Sequence, residues 1–307
     1  MKTEIKQINS FNEEALKLFN DKGIGNAEKV RRIMQLTHDL ASKKFSDLTI
    51  LDLGCGEGVY TLEAGLRGAR VTGMDGRDNR LRFGKEVALN HGLNNVNFIV
   101  DDVRNLTYEK YGTFDVVYLL GLLYHLDEPE IFDILKNIYS VCGELLIIDT
   151  AIALSTPITL VHEKKEYYGV KYIEHEEGDS DDLMINKRIM ASIGNNKSFA
   201  FSKKSLVKYL NELGFVTVLE CYSPIENNKT ESRITLVAIK SEKEKIASYP
   251  WLNDMTEDEI SNKLKSTLVI PPFALKHQYT FKAKVKMLID KWLAKRGYEL
   301  KIKLKDK

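Results

Sequence analysis

The sequence has few cysteines, almost no net charge and no long hydrophobic run, and each shortage argues against a class of protein. Its cysteines, Cys55, Cys142 and Cys221, form no CxxC pair, which disfavours a zinc site, a redox dithiol and a disulfide framework. The formal net charge of +1 gives the whole chain no strong attraction to nucleic acid or anionic lipid. No window reaches bilayer-spanning length, and the N-terminal stretch lacks the apolar core of a signal peptide. We therefore expect a soluble, cytoplasmic protein.

The middle of the chain alternates short apolar runs with helical patterns. Helices are predicted near residues 58–66, 79–90 and 128–141. The runs between them are "TILDLG" (49–54), "ARVTGMD" (69–75), "VNFIVDD" (96–102), "FDVVYLLG" (114–121) and "GELLIIDT" (143–150). Buried strands alternating with helices are typical of a doubly wound α/β fold with a mostly parallel sheet. In such folds ligands bind beyond the carboxyl ends of the strands, so we expect the chemistry just after each run.

The remaining segments suggest three parts of the chain. Residues 1–45 predict a helical N-terminal cap, 46–240 the α/β domain and 241–307 a basic C-terminal extension. Within the domain, residues 151–200 are polar and rich in acids and tyrosines, which predicts a lid or substrate-binding insertion. The pattern then resumes with a helix ending at Gly214 and two strands forming a hairpin, which makes the last strand antiparallel to its neighbour.

The segment "LDLGCGEG" places three glycines at every second position between a strand and a helix. Gly54, Gly56 and Gly58 allow a tight turn and a close approach of backbone N–H groups to a ligand. Alone, this pattern fits a nucleotide site and a simple tight turn about equally well. Asp52 precedes the first glycine by two residues, where a carboxylate disfavours a pyrophosphate and favours a cationic ligand.

Acidic residues also end the second and third apolar runs. Asp75 lies 21 residues after Gly54, where a carboxylate can accept hydrogen bonds from two ribose hydroxyls. Asp102 can accept from an adenine amino group, or it can cap the residues after it; Asp101 is expected to be solvated. Because no basic residue stands in the glycine loop to meet phosphates, the pattern indicates an adenosine that carries positive charge.

These motifs, in this order and spacing, resemble the class I S-adenosylmethionine-dependent methyltransferases, strongly over residues 48–150 and in outline over 200–240. The resemblance implies that the glycine loop lines the methionine moiety and ribose and that Asp52 orients the methionine amino group. It implies ribose binding by Asp75 and adenine contacts from Asp102 and Val103. The cofactor site implied in this way also takes in Cys55, Gly76 and Leu120.

The segment "LGLLYHLDEP" follows the fourth run, where this family places residues that face the transferred methyl group. His125 is a candidate general base for a hydroxyl or amine acceptor, because its ordinary pKa lies near neutrality. Tyr124 is a candidate for orienting the acceptor. The competing interpretation is that His125 packs against, or caps, the helix that follows it.

"GLLYHL" and the late "TESRITLVA" also resemble the enzymes that modify the tRNA wobble uridine with a carboxylated form of the cofactor. That resemblance implies contacts from Tyr124 and Arg233 to the extra carboxylate. The chain departs from those enzymes in its short region before the glycine loop and in the acidic "LDEPE" after the histidine, where they are arginine-rich. Ordinary methyl transfer therefore stays the favoured function.

The insertion and the tail carry further candidates. Tyr167, Tyr168 and Tyr172 either line a substrate pocket or form the apolar underside of the insertion. The acids and histidines of 162–182 match no standard metal-ligand spacing, so we expect no metal. Residues 281–307 hold ten Lys or Arg against three acids, so contact with anionic membrane or with RNA is an alternative to docking on the domain.

Together these features predict an enzyme that methylates a small-molecule acceptor, most simply at an oxygen of a sugar or secondary metabolite. The cofactor is S-adenosylmethionine, with S-adenosylhomocysteine as product. The first alternative is a wobble-uridine-modifying enzyme that acts on RNA. The second is a non-catalytic cofactor-binding protein, since a glycine loop establishes binding and not turnover.

Overall fold

The computed structural model describes residues 27–221 and 232–241. The chain separates into two units, Met1–Lys243 and Glu244–Lys307, and all described residues belong to the first. The predicted basic extension, apart from its first residue, lies outside the described ranges, as does the predicted contact surface 281–307. The same holds for residues 1–26 of the predicted N-terminal cap.

The helices and strands of the central domain follow the order predicted from the sequence. The helices are α1 (Ala27–Leu40), α2 (Val59–Leu66), α3 (Asp78–Asn90), α4 (Tyr108–Tyr111), α5 (Glu130–Val141) and α6 (Lys203–Leu213). The strands of the main sheet are β1 (Thr49–Leu53), β2 (Arg70–Asp75), β3 (Val96–Val100), β4 (Phe114–Leu120), β5 (Cys142–Ala151), β9 (Thr217–Glu220) and β10 (Arg233–Ile239).

The main sheet has seven strands in the order β3-β2-β1-β4-β5-β10-β9. Strands β1 to β5 pair in parallel, whereas β10 runs antiparallel to both β5 and β9. The prediction of a doubly wound, mostly parallel sheet with an antiparallel last strand is therefore confirmed. Because the order reverses between β1 and β4, the carboxyl ends of these strands leave a crevice for a ligand.

Helix α1 is a layer of the domain core. Val30, Ile33 and Met34 are buried in the same apolar cluster as Ile50 of β1 and Val116 of β4. The hydroxyls of Thr37 and Tyr118 lie 2.7 Å apart within this layer. Since the spacing of these apolar positions is that of one helix face, burial against the sheet accounts for the helix.

The insertion contains a second, three-stranded antiparallel sheet, in the order β6-β7-β8, which the sequence analysis did not predict. Its strands are β6 (Ile158–His162), β7 (Lys165–Ile173) and β8 (Lys197–Phe201). The strands were missed because only Tyr167 and Gly169 of β7 are fully buried, and because Lys165, Glu166 and Lys171 make the segment read as polar. Residues 174–196, which join β7 to β8, are called the lid below.

The glycine loop adopts the backbone conformation that glycine alone tolerates well. Gly54 and Gly58 have φ of 67° and 84°. A Cβ atom on Gly58 would lie 2.6 Å from the ring of Phe98. These positions therefore need glycine for the left-handed backbone, and Gly58 also needs it for the close packing of the loop on β3.

Asp52 is a buried carboxyl group within β1. Thr61 of α2 donates a 2.6 Å hydrogen bond from its hydroxyl to Oδ2 of Asp52. Burial raises the pKa of Asp52 to about 7, because the hydrogen bonds from Thr61 compensate only part of the lost hydration.

We expect Gly58→Ala to lower the free energy of unfolding by about 2–3 kcal/mol, because left-handed strain and the clash with Phe98 add together. Urea titration measures this. Gly92→Ala is the matched control, since Gly92 has φ of +64° and nothing lies within 4 Å of its added Cβ, so strain alone costs about 1 kcal/mol. Equal losses in the two variants would contradict the packing role of Gly58.

Replacing Asp52 by Asn should flatten the pH dependence of stability. The pKa of Asp52 is raised on folding, so its contribution is fully present below pH ~4 and is lost as the pH rises through about 7. The free energy of unfolding of the wild type, minus that of Asp52→Asn, should fall by at most about 4 kcal/mol over this range. Chemical denaturation of the ligand-free protein at several pH values measures the difference, and a difference that rises with pH would contradict the raised pKa.

Candidate active site

A cavity of about 320 Å³ lies at the carboxyl ends of β1 to β4. Its walls come from the loops after these strands, from Arg233 at the start of β10 and from lid residues 189–195. This volume lies in the range of small-molecule sites. The structure brings together nine residues predicted for the site, which are Gly54, Asp75, Gly76, Asp102, Val103, Leu120, Tyr124, His125 and Arg233.

Four other predicted cofactor residues do not line this cavity. Asp52 is buried behind the loop against Thr61, and its contact with a methionine amino group stays a prediction. Cys55 is buried, and burial raises the pKa of its thiol well above the ordinary value, so it is no nucleophile. Gly56 and Gly58 lie against the side chains of Arg80 and Phe98 respectively, where an added Cβ atom would clash.

The predicted substrate tyrosines also lie away from the cavity lining. Tyr167 is buried in the core of the domain, where its ring is 5.1 Å from that of Phe132. Tyr168 is exposed and donates a 2.6 Å hydrogen bond to Glu166. Tyr172 is half-buried, and its burial, with Glu174 and Tyr124 nearby, raises its pKa. Of the three, Tyr172 is therefore the one beside the site.

The carboxylate of Asp75 is held at the end of β2 by two backbone groups. The N–H of Gly56 donates to Oδ2 and the N–H of Arg77 donates to Oδ1, each at 2.9 Å. Each oxygen keeps a further lone-pair site, so the carboxylate can still accept from a ligand. The hydrogen bond from Gly56 to Asp75 fixes the glycine loop to the carboxyl end of β2. It thereby sets the distance between the loop and that strand end.

The two acids after β3 differ in environment. Asp102 accepts from the backbone N–H of Arg104 at 2.9 Å and so caps the turn Val103–Asn105, while its Oδ2 lies 2.5 Å from Nη2 of Arg104. It lines the cavity as well, so the capping role and the predicted ligand role are compatible.

Asp101 is not solvated, and that expectation was wrong. Its carboxylate accepts from Asn105 at 2.8 Å, from Lys110 at 2.6 Å and from the hydroxyl of Tyr111. Burial alone would raise its pKa, but these hydrogen bonds outweigh burial and lower the pKa of Asp101. Asp101 therefore ties β3 to α4.

Arginines beside the cavity were missed in the sequence analysis. Arg77, Arg80 and Arg104 all line it. Arg80 of α3 pairs with Glu57, with Nη2 2.8 Å from Oε2, and its guanidinium lies against Gly56. The signal was the run "GRDNR" directly after Asp75. The positive charge beside the glycine loop therefore comes from Arg80 of α3 and not from a residue of the loop itself.

His125 forms a pair with a carboxylate of the lid. Its Nδ1 lies 2.7 Å from Oε1 of Glu174, whose side chain is only 6% exposed. Burial alone would raise the pKa of Glu174, but the hydrogen bond and charge of His125 and the bond from Ser198 lower it. A carboxylate only accepts hydrogen bonds, so Nδ1 is the donor and Nε2 of the neutral ring is the basic nitrogen.

Tyr124 and Arg233, predicted to lie together, are in direct contact. Nη1 of Arg233 donates a 3.0 Å hydrogen bond to the hydroxyl of Tyr124, and Nε donates to Asp149 at 2.5 Å. Lys29 of α1 also pairs with Asp149, at 2.7 Å. Burial alone would raise the pKa of Asp149, but the charges of Lys29 and Arg233 outweigh it and hold that pKa below its usual value.

The candidate metal ligands of the insertion are used elsewhere. His162 stacks on Phe132, with the ring centroids 4.1 Å apart, whereas Nε2 of His175 lies 2.9 Å from the carbonyl oxygen of Ser192. Asp179 pairs with Arg188. Within residues 27–221 and 232–241, no group of three or more His, Cys, Asp or Glu side chains could hold a metal ion. None of the helices in these ranges has the length and apolar content to cross a bilayer.

Comparison with known proteins agrees with this geometry. Residues 50–144 match the family model described as a methyltransferase domain. Over 97 residues, 32% of this chain, the sequence is 36% identical to a ubiquinone biosynthesis O-methyltransferase of Nitrosococcus oceani and 30% identical to that of Escherichia fergusonii. Each match spans 38% of the relative's own length.

A solved structure shows the same fold over a larger share of the chain. The N-terminal domain of EvdMO1, crystallised with S-adenosylhomocysteine bound, superposes with a TM-score of 0.55 at 22% identity. The match covers 70% of this chain and 80% of that one. At this identity the likeness establishes the fold alone. Through the matched segment 50–144 and the strand order of its sheet, the chain contains a methyltransferase domain of the class I S-adenosylmethionine-dependent type.

Proposed function

We propose that the protein transfers the methyl group of S-adenosylmethionine to a hydroxyl group of a small molecule. The observation that carries the proposal is the arrangement of one cavity. Asp75 and Asp102 line it after β2 and β3, and His125, paired with Glu174, lines it after β4. Acids suited to an adenosine and a base suited to a hydroxyl therefore line the same cavity.

The residues present fit this cofactor. Asp75 would accept from the ribose hydroxyls and Asp102 and Val103 would meet the adenine, while the backbone of Gly54 and Leu120 would border the methionine part. The bound cofactor would supply an electrophilic methyl group. Gly121 follows Leu120 and has φ of +90°. A Cβ atom added to Gly121 would lie 3.2 Å from Nη2 of Arg233, so glycine at this position leaves space in the cavity.

His125 is the proposed general base. Its Nε2 would take the proton of the acceptor hydroxyl as that oxygen attacks, and Glu174 would stabilise the imidazolium that forms. Tyr124 lies beside it, with ring centroids 4.3 Å apart, and would orient the acceptor. The hydroxyl then approaches in line with the methyl group, which is most of what this reaction requires.

Oxygen methylation of a small acceptor fits the size of the site and the names of its relatives. The cavity of about 320 Å³ has lid residues in its wall, which suits a small acceptor better than a polymer. The curated relatives are O-methyltransferases, and the EvdMO1 domain was also solved in the presence of D-fucose. We propose a sugar or secondary-metabolite acceptor in the cytoplasm, selected by the N-terminal segment 1–45 and the insertion 151–200.

A second candidate function is carboxymethyl transfer from a carboxylated cofactor, as in wobble-uridine modification of tRNA. It is favoured by the contact of Arg233 with Tyr124, since a guanidinium and a phenol hydroxyl together suit a carboxylate. Arg233 is already bound to Asp149, which leaves less of its charge for a ligand. The mass of the group added to the product, methyl or carboxymethyl, separates the two functions.

We expect His125→Ala to lower turnover of S-adenosylmethionine, measured with a panel of phenolic and sugar acceptors, by roughly 10²–10⁴-fold. Calorimetry should show affinity for S-adenosylhomocysteine changed less than twofold, since His125 acts on the acceptor. His38→Ala is the matched control, because His38 is exposed on α1. Unchanged turnover in His125→Ala would remove the base from the mechanism. A wild type that binds the cofactor product and turns over none of the panel would favour a non-catalytic protein.

A further inference from the structure

The guanidinium of Arg77 makes several hydrogen bonds that fasten the lid to the cofactor half of the site. Arg77 lies two residues after Asp75, and its Nε donates to the carbonyl oxygen of Ile185 at 2.8 Å. Its Nη2 lies 2.8 Å from the carbonyl oxygen of Ala191 and 3.2 Å from that of Ser192. One planar side chain thus gathers several lid carbonyls beside the predicted ribose acid.

Neighbouring contacts close the lid over the same region. Arg80 donates to the carbonyl oxygen of Ile189 at 3.3 Å, and Arg104 donates to that of Ile193 at 3.1 Å. A Cβ atom on Gly76 would lie 2.6 Å from Cδ1 of Ile193, so the lid packs directly on the loop after β2. Because residues 189–193 wall the cavity, any movement of the lid changes access to the cofactor half of the site.

The base of the lid carries the carboxylate that binds His125. Besides Nδ1 of His125, Glu174 receives a 2.8 Å hydrogen bond from the hydroxyl of Ser198. The backbone N–H of Ser192 donates to its Oε2 at 3.2 Å. Asn195 donates to the carbonyl oxygen of His125 at 2.9 Å, so the lid contacts both the ring and the backbone of that residue.

Ser192 connects the hydrogen bonds of Arg77 with those of Glu174. Its N–H holds Glu174, and its carbonyl oxygen accepts from Arg77 and lies 2.9 Å from Nε2 of His175. His175 is buried. A lid that leaves Arg77 therefore also removes a hydrogen bond from Glu174, which then loses part of what fixes its carboxylate on His125.

We propose that Glu174 is a positioning residue for His125 and that docking of the lid on Arg77 couples occupancy of the cofactor site to orientation of the base. The inference rests on the proposed function and deepens it. In the closed lid Glu174 fixes the tautomer and the orientation of His125, whereas in the open lid the histidine lacks this partner. His125 therefore has its carboxylate partner only when the lid covers the cofactor site.

Titratable and charged groups from several elements lie around His125 and its partner Glu174, and Arg77 interacts electrostatically with Glu174. Glu174 faces its Nδ1, the ring of Tyr124 lies against its own, and Tyr172 reaches the pair through Glu174. Arg233 of β10 is bound to Tyr124. Glu174 is the one carboxylate among them, so its loss should dominate any change in the titration of His125.

The test follows the imidazole of His125 by NMR titration with saturating S-adenosylhomocysteine, its signal assigned through His125→Gln. Glu174→Gln should move the pKa of His125 downward, because the negative charge that favours imidazolium is gone. Glu174→Asp should restore part of the shift. Glu176→Gln is the matched control, since Glu176 is an exposed acid of the same lid. An unchanged titration in Glu174→Gln would overturn the positioning role.

The coupling is tested by combining Glu174→Gln with Arg77→Lys. Lysine cannot reach the same set of carbonyls, so Arg77→Lys should weaken binding of S-adenosylhomocysteine by about tenfold. Glu174→Gln should shift the pKa of His125 less in the Arg77→Lys background than in the wild type. Equal shifts in the two backgrounds would overturn the coupling.

These readouts need no methyl acceptor, so they separate failure of this inference from failure of the proposed function. If turnover with an acceptor is found, Glu174→Gln should lower kcat by roughly 10–100-fold and leave KM for S-adenosylmethionine nearly unchanged. The acid limb of its pH profile should move to lower pH with the pKa of His125. A rise in KM with kcat unchanged would contradict a role through the base.

Discussion

The site depends on the carboxylate of Asp75 at the end of β2. It accepts from the backbone of Gly56 and of Arg77, so one side chain joins the glycine loop to the residue that fastens the lid. Three parallel strands meet at this point, and the left-handed glycines let the loop turn back over their ends. A substitution of Asp75 would therefore disturb both the glycine loop and the docking of the lid.

Charge is distributed unevenly around the cavity, although the chain as a whole is nearly neutral. Arginines follow β2 and β3, but Arg80 pairs with Glu57 and Arg104 with Asp102, while Arg77 is bound to lid carbonyls. The basic groups near the glycine loop therefore each have a partner within the protein. At the acceptor end Lys29 and Arg233 share Asp149, and the histidine has its own carboxylate. Paired charges of this kind hold side chains in place in a partly buried site.

Much of the fold and of the candidate site could be predicted from the sequence, because local sequence patterns determine these parts. The strand and helix order follows from apolar runs, and Gly54, Asp75, Asp102 and His125 were placed by their position after those runs. The second sheet within the insertion could not be predicted, because β7 buries few residues of a polar segment. Glu174 and Arg77 were missed for a different reason: their roles depend on contacts with residues about 49 and 108 positions away, which no local pattern encodes. For Tyr167 the sequence left a pocket position and a buried position open, because both favour the same amphipathic residue.

The most direct measurement is a crystal structure of the protein with S-adenosylhomocysteine. The ribose hydroxyls should lie within hydrogen-bond distance of Asp75 and the adenine beside Asp102 and Val103. The sulfur should face Tyr124 and His125 beneath a lid docked on Arg77, with Nδ1 of His125 still bound to Glu174. A ligand bound outside this cavity, or bound within it with Glu174 turned away from His125 under a closed lid, would contradict the central claim.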